Sequence, residues 1–185
     1  MIDVRRAGRL VAFALAVTAT SGAGPALAAS AAAIDRDVTT ALAKLYDIHP
    51  EARQLGRQAK AILVFPSVAK AGFLFGAQYG EGALRRQGKT VAYYNTAAAS
   101  YGLQAGVQVF GYALFFMNDS GLRHLEDTGG FELGTGPSIV VLDTGAAKAL
   151  TTATLQKDIY AMVFGQQGLM AGVGLQGSKI SRMDR

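Results

Sequence analysis

The residues of this sequence that are best suited to chemistry are cations. Two groups of three and one single lysine stand out: Arg53, Arg57 and Lys60; Arg85, Arg86 and Lys89; and Lys70. The first group recurs at steps of four and three, which places it on one face of a helix. The second group surrounds the turn dipeptide Gln87-Gly88, and the single lysine lies between two predicted strands. Each cation near an anionic membrane contributes ~1 kcal/mol, so together they predict attraction to such a surface. Taken singly, each group also fits a solvated face or turn.

Side chains that support catalysis or bind metals and cofactors form no convincing pattern. The chain has no cysteine, and its serines lack the Gly-x-Ser-x-Gly elbow of a hydrolase. The glycine-rich segment 129–138 lacks the lysine of a phosphate-binding loop. His124 has Glu126 and Asp127 close by, but adjacent ligands do not converge on a metal unaided, so we favour a solvated strand end or turn. We expect no catalytic residue, no metal and no cofactor.

The first 28 residues show the three-part pattern of a secretory signal peptide. Three arginines precede an apolar run over residues 10–17, and Ala26-Leu27-Ala28 forms a cleavage site. An uncleaved anchor is the alternative, but the run is too short to cross ~30 Å of hydrocarbon. We expect an exported chain that starts at Ala29 and is periplasmic or peripherally associated with the cell envelope. Its 15 Lys and Arg against 12 Asp and Glu give a net charge of +3, too weak to indicate nucleic acid.

The rest of the chain, residues 29–185, is predicted to be one α+β domain. Residues 29–62 are predicted to be helical, with a second helix running from Pro50 to Ile62. Residues 63–185 consist of short apolar runs separated by turn residues, a pattern typical of antiparallel hairpins. We expect N-terminal helices packed on a curved, mostly antiparallel sheet, with barrel-like closure left open.

Residues 100–119 are apolar enough for a membrane span, yet they alternate with a period of two. Val107 and Val109 lie on one face of this alternation, and Gln104 and Gln108 lie on the other. A helix here would carry three glycines at ~1 kcal/mol each relative to alanine. We therefore predict a long curved strand. Its valine face should be buried, its glutamines should face water or a polar partner, and its second half should be buried on both faces.

Three ordered blocks resemble the SYLF-domain family. AKAILVFP (59–66) with KAGFLFG (70–76) resembles its opening block, SYGLQAG (100–106) its central block and GLMAGVGLQGS (168–178) its closing block. The resemblance covers nearly all of residues 29–185 and implies a lipid-binding module. Eukaryotic members bind phosphoinositide membranes, a yeast branch binds actin filaments, and bacterial members are exported. The chain departs from the family where AYYNT (92–96) replaces a Trp-Ser-x-Pro segment and where Tyr112 stands near a frequent aspartate.

The sequence therefore predicts an exported, non-catalytic module that associates reversibly with anionic phospholipid. The cations listed above are the candidate lipid-binding residues, and exposed apolar groups are expected to insert. A structural or interaction protein of the cell envelope, which binds a protein or glycan through the same surface, is the alternative. An integral outer-membrane protein is disfavoured by the helical N-terminal part and the uneven strands.

Overall fold

The structure is a computed structural model that describes residues 29–101, 106–135, 137–142, 157–168, 175 and 177–185. The predicted signal peptide, Gln104 and most of the closing block lie outside these residues. The described residues form three helices and eight strands: α1 (Ala31–Ile48), α2 (Pro50–Gln58), β1 (Ala61–Gly72), β2 (Phe75–Arg86), β3 (Lys89–Tyr101), β4 (Gly106–Phe116), α3 (Asp119–Asp127), β5 (Gly130–Glu132), β6 (Ile139–Leu142), β7 (Ile159–Gly168) and β8 (Lys179–Met183).

All eight strands belong to one curled sheet, in the order β5-β8-β3-β2-β1-β4-β7-β6. Neighbouring strands are antiparallel, except for β6 and β7, which are parallel. Helices α1 and α2 pack on one face of the sheet, while α3 contributes Leu122 and Leu125 to the core on the other face. The predicted α+β fold with a curved, mostly antiparallel sheet is confirmed.

The two N-terminal helices follow their apolar patterns. Helix α1 begins after Ser30, whose side chain accepts a hydrogen bond from the Ala33 nitrogen at 3.2 Å. Helix α2 begins at Pro50 as predicted, but it ends at Gln58 and not at residue 62. Residues 61–65 instead enter β1, where every side chain is buried between the flanking strands and the two cores. Sheet pairing on both sides outweighs the weak helical periodicity of this run.

The middle of β1 contains a bulge at Pro66. The register shifts there against both β2 and β4, because proline has no N–H to donate to a ladder. The bulge divides the strand into two parts. The first part lies under the helices, and the second extends beyond them into the hairpin with β2.

Residues 100–119 form the end of one strand and the whole of another, so the predicted single strand is wrong. Ser100 and Tyr101 end β3, whereas residues 106–116 form β4. The faces of the first half are also the reverse of the prediction, because Val107 and Val109 are exposed and Gln108 is buried. Residues 110–116 are buried on both faces, as predicted.

Helix α3 was not predicted. His124 lies in this helix and not at a strand end or turn, and its ring packs edge-on against Phe131 at 5.7 Å between centroids. The Asn118 side chain accepts a hydrogen bond from the Gly121 nitrogen at 3.0 Å, so Asn118 caps this helix. Within the described ranges, no group of three or more His, Asp or Glu side chains is placed to hold a metal ion. None of the three described helices is long and apolar enough to cross a membrane.

Candidate functional site

The turn between β1 and β2 presents three large apolar side chains to solvent. Phe73, Leu74 and Phe75 are 70%, 47% and 74% exposed. The turn is tight, since the Phe73 nitrogen donates to the Phe75 oxygen at 3.1 Å and a Cβ on Gly72 would lie 2.6 Å from the Gly76 Cα. Contiguous exposed apolar groups of this kind mark a surface that binds something. We call these three residues the apolar tip.

The apolar tip is continuous with an uncovered part of the sheet. Behind it, on the face that carries α1 and α2, two rows of small or apolar residues run across β4, β1 and β2: Val107, Ala71 and Ala77; and Val109, Ala69 and Tyr79. The helices cover this face only on the far side of the bulge. All six residues are exposed, and we call them the open apolar face.

Two exposed lysines flank the open apolar face. Lys179 of β8 is in register with Ala97 of β3, which in turn is in register with Tyr79. On the opposite side, Lys44 of α1 and Val109 line a recess of ≈ 350 Å³ between α1 and strands β4 and β7. Sequence reasoning missed both lysines, because neither belongs to a cluster and only tertiary pairing brings them to this face.

The structure brings Arg85, Arg86 and Lys89 together around the Gln87-Gly88 turn, as predicted. That turn lies at the opposite end of β2 from Phe75, about 35 Å away at ~3.3 Å per residue. Lys60 follows the end of α2, so it does not share a helix face with Arg53 and Arg57 as predicted. It lies at the same distant end as the turn, since it precedes β1 and Ile62 pairs with Arg85. The hairpin cations and Lys60 therefore do not form one continuous surface with the apolar tip.

The Arg85 guanidinium is hydrogen-bonded to residues of α1. One of its terminal nitrogens, Nη2, donates to the Asp35 backbone oxygen at 2.8 Å and to Thr39 Oγ1 at 2.6 Å. The Asp35 carboxylate also accepts hydrogen bonds from Thr90 at 2.7 Å and Tyr93 at 3.0 Å. These contacts attach α1 to the β2–β3 hairpin, so Arg85 has a structural role.

Two other predicted cations form ion pairs on the surface. Arg86 pairs with Glu126 at 3.1 Å, and Arg53 pairs with Asp47 at 3.3 Å and lies 5.6 Å above the Tyr46 ring. The remaining exposed cations of the prediction have no ion pair within the described part of the chain: Arg57, Lys60 and Lys89. Exposed ion pairs contribute little to stability, about 0–1 kcal/mol, so even the paired Arg53 and Arg86 stay available to an anionic partner.

Lys70 does not lie between two strands, as the sequence had suggested, but within β1, where it is only 9% exposed. Its register partners are Gln78 on β2 and Gln108 on β4, and both are buried as well. The Gln78 side-chain nitrogen donates to Ser178 Oγ at 2.7 Å. We call Lys70, Gln78 and Gln108 the polar row. It faces the inside of the curled sheet, on the other side of the strands that form the open apolar face.

Tyr112, near the place of a frequent family aspartate, belongs to the core inside the curl. Its hydroxyl donates to Thr96 Oγ1 at 2.7 Å, and burial raises the pKa of Tyr112 above its ordinary value. Its ring packs against Phe65 at 4.8 Å between centroids. A neutral tyrosine can share this apolar interior, whereas an aspartate would need a charged or hydrogen-bonded partner.

Comparison with known proteins gives a family match for the second half of the chain. The sequence profile of the family described as Ysc84, Las17-binding protein actin regulator, which is the SYLF-domain family, matches residues 97–185. The matched residues run from the second half of β3 to β8 and contain the central and closing blocks. A search of curated proteins gives no match. Over residues 97–185, this match supports membership of the SYLF-domain family.

Proposed function

We propose that this chain is a non-catalytic module that binds reversibly to anionic phospholipid membranes by inserting the apolar tip. The observation that carries the proposal is the exposure of Phe73, Leu74 and Phe75 at the end of a tight hairpin. The open apolar face continues the same surface, and Lys44 and Lys179 supply positive charge beside it. Apolar insertion with flanking cations is the general design of peripheral membrane binding.

The magnitudes favour reversible attachment. Full burial of a Phe or Leu side chain contributes ~1.5–3 kcal/mol, so three partly exposed ones contribute on the order of 4 kcal/mol. Two lysines near anionic lipid add ~1 kcal/mol each. Ordering of the tip and loss of free motion offset part of this sum. The balance predicts weak binding that many copies or high lipid concentration would make visible.

We also propose that the chain is exported and acts at the cell envelope, supported by the signal-like pattern of residues 1–28. Intact-mass measurement of the protein recovered outside the cytoplasm tests this. The expected mass corresponds to a chain that starts at Ala29. A recovered mass that retains residues 1–28 would contradict export with cleavage.

Vesicle sedimentation tests the insertion of the apolar tip. Phe73→Ser with Leu74→Ser should weaken binding to phosphatidylglycerol vesicles by a factor on the order of thirty, since ~2 kcal/mol of apolar burial is lost. Ile48→Ser with Val91→Ser is the matched control, because both residues are also exposed but lie off the open apolar face. The control should bind within about twofold of the parent protein. Equal losses in both variants would contradict insertion at the tip.

A protein partner at the same surface is the second candidate function. The family description names a Las17-binding protein and actin regulation, and an exposed apolar face also suits a protein interface. The vesicle experiment separates the two candidates. If the unmodified chain binds no vesicles at low salt, a contact with an envelope protein becomes the better interpretation of the open apolar face.

A further inference from the structure

The polar row contains a buried lysine, Lys70, that has no counter-charge among the described residues. No ion pair within the described ranges involves Lys70. Removing an ammonium from water without an anionic partner is costly, and proteins normally supply one. Lys70 is therefore suited to bind an anion that comes from outside the chain.

Gln108 adds a second unsatisfied group to the polar row. It is 3% exposed, and its side-chain oxygen has no hydrogen-bond donor. Gln78, the other neighbour of Lys70, donates to Ser178. The row thus offers a cation and a free acceptor side by side, since directly opposite residues in a sheet have Cβ atoms ~5 Å apart. A ligand that carries both an anionic oxygen and a hydroxyl donor would satisfy both groups.

A row of glycines lies between the polar row and the apolar tip. Gly72 is in register with Gly106 on one side and with Gly76 on the other. The Ser100 side chain fills the space beside Gly76, since a Cβ added to this glycine would lie 2.6 Å from Ser100 Oγ. The three glycines themselves contribute no side chain between Lys70 and the apolar tip.

The spacing matches the depth of a lipid headgroup. Lys70 precedes Phe73 by three residues, which is ~10 Å along a strand. Interfacial proteins bury apolar groups ~5–10 Å below the headgroup boundary. A tip inserted to this depth brings the polar row to the level of the lipid phosphates.

We infer that the polar row binds the phosphate of a phospholipid headgroup that also carries a hydroxyl group, as in phosphatidylglycerol. Lys70 contacts the phosphate oxygens, and the Gln108 oxygen accepts the headgroup hydroxyl. The inference rests on the proposed function and adds headgroup selectivity to it.

The test compares two lipids of equal charge. Phosphatidylglycerol and phosphatidylethanol each carry one negative charge, but only the first has free headgroup hydroxyls. The unmodified chain should prefer phosphatidylglycerol vesicles by a factor on the order of ten, the value of about one hydrogen bond. Lys70→Met should reduce this preference to near unity. Lys157→Gln removes the same charge from an exposed site and should retain the preference.

Two further measurements distinguish a general loss of folding from a specific loss of headgroup binding. Lys70→Met should unfold in lipid-free buffer at or above the temperature of the parent, since an unpaired buried charge is gone. Gln108→Leu should also lose the preference, without any change in net charge. Equal vesicle binding of both lipids by the parent, unaffected by Lys70→Met, overturns the inference and leaves the proposed function standing.

If the parent protein binds neither kind of vesicle, the proposed function is rejected. The polar row can then be tested separately with a soluble phosphodiester. Titration with glycerophosphoglycerol shows whether the polar row binds a phosphodiester that carries hydroxyl groups. Binding that Lys70→Met abolishes supports the site with a free phosphodiester as its source. Absence of binding overturns the inference.

Discussion

The backbone nitrogen of Ala29 lies 3.1 Å from Oε2 of Glu81, where the residues before α1 meet β2. The same carboxylate accepts hydrogen bonds from Tyr79 and from Arg185, both at 2.9 Å. One side chain therefore holds residues from the two ends of the described chain against the sheet. Cleavage after Ala28 would turn the Ala29 nitrogen into an ammonium group and its hydrogen bond into an ion pair.

A protein that begins at Ala29 should be more stable with a free N-terminus than with an acetylated one. The partly buried ion pair is expected to contribute about 1 kcal/mol, which corresponds to ~2–4 °C in the midpoint of thermal unfolding. In Glu81→Gln the two forms should unfold at nearly the same temperature. An acetylated parent that is as stable as the free form would show that the ammonium makes no ion pair.

Arg85 and Lys89 should differ sharply although they occupy the same hairpin. Arg85→Gln removes two hydrogen bonds that hold α1, so the free energy of unfolding should fall by about 1–3 kcal/mol. Lys89→Gln removes the same charge from an exposed position, and its effect should stay within about 0.5 kcal/mol. Urea unfolding measures both values. Equal destabilisation would mean that net charge, and not the contact with Asp35 and Thr39, is responsible.

The local sequence correctly predicts the basic hairpin, but it does not predict the structural role of Arg85. Gln87-Gly88 between two apolar runs marks the turn, and the structure confirms the clustering of the cations around it. Arg85 reaches Asp35 across fifty positions, and no local pattern encodes that contact. Lys44 and Lys179 are isolated in the sequence, so no local pattern marks them. They lie beside the open apolar face only because the folded sheet brings them there.

The alternation in β4 shows a similar limit. A period of two correctly identifies a strand, but it does not say which face is inside. Val107 and Val109 suggest a buried face by composition, whereas Gln108 is the buried residue because Lys70 and Gln78 occupy the same row on the neighbouring strands. Buried polar residues and exposed valines contradict the ordinary rule, and such contradictions are expected where a surface is kept for binding.

The lysines beside the open apolar face should control the salt dependence of vesicle binding. Lys44→Gln with Lys179→Gln removes ~2 kcal/mol of attraction, a factor on the order of thirty at low salt. Lys60→Gln with Lys89→Gln changes the net charge equally but lies at the far end of the sheet, so its effect should be small. The difference should disappear near 1 M salt, where the Debye length is ~3 Å. Equal effects of the two pairs at low salt would indicate a response to net charge alone.

Asp158 connects the residues that precede α3, β6 and β7 by hydrogen bonds, and its protonation should lower the stability of the protein at acid pH. The Asn118 side chain donates to Asp158 at 2.7 Å, and Ser138 donates to its other oxygen at 3.0 Å. The hydrogen bond from Asn118, aided by Ser138, lowers the pKa of Asp158 below its ordinary 3.8.

A carboxylate with a lowered folded pKa contributes stability that is fully present above the unfolded pKa and is lost as pH falls through the folded value. Asp158→Asn should therefore be less stable than the parent at pH 7, and the gap should close below pH ~4. Asp184→Asn, which removes an exposed carboxylate elsewhere, should follow the parent at every pH. Thermal unfolding from pH 7 to pH 3 measures all three proteins. A gap between Asp158→Asn and the parent that stays constant over this range would show that the stabilising contacts of residue 158 do not depend on its charge.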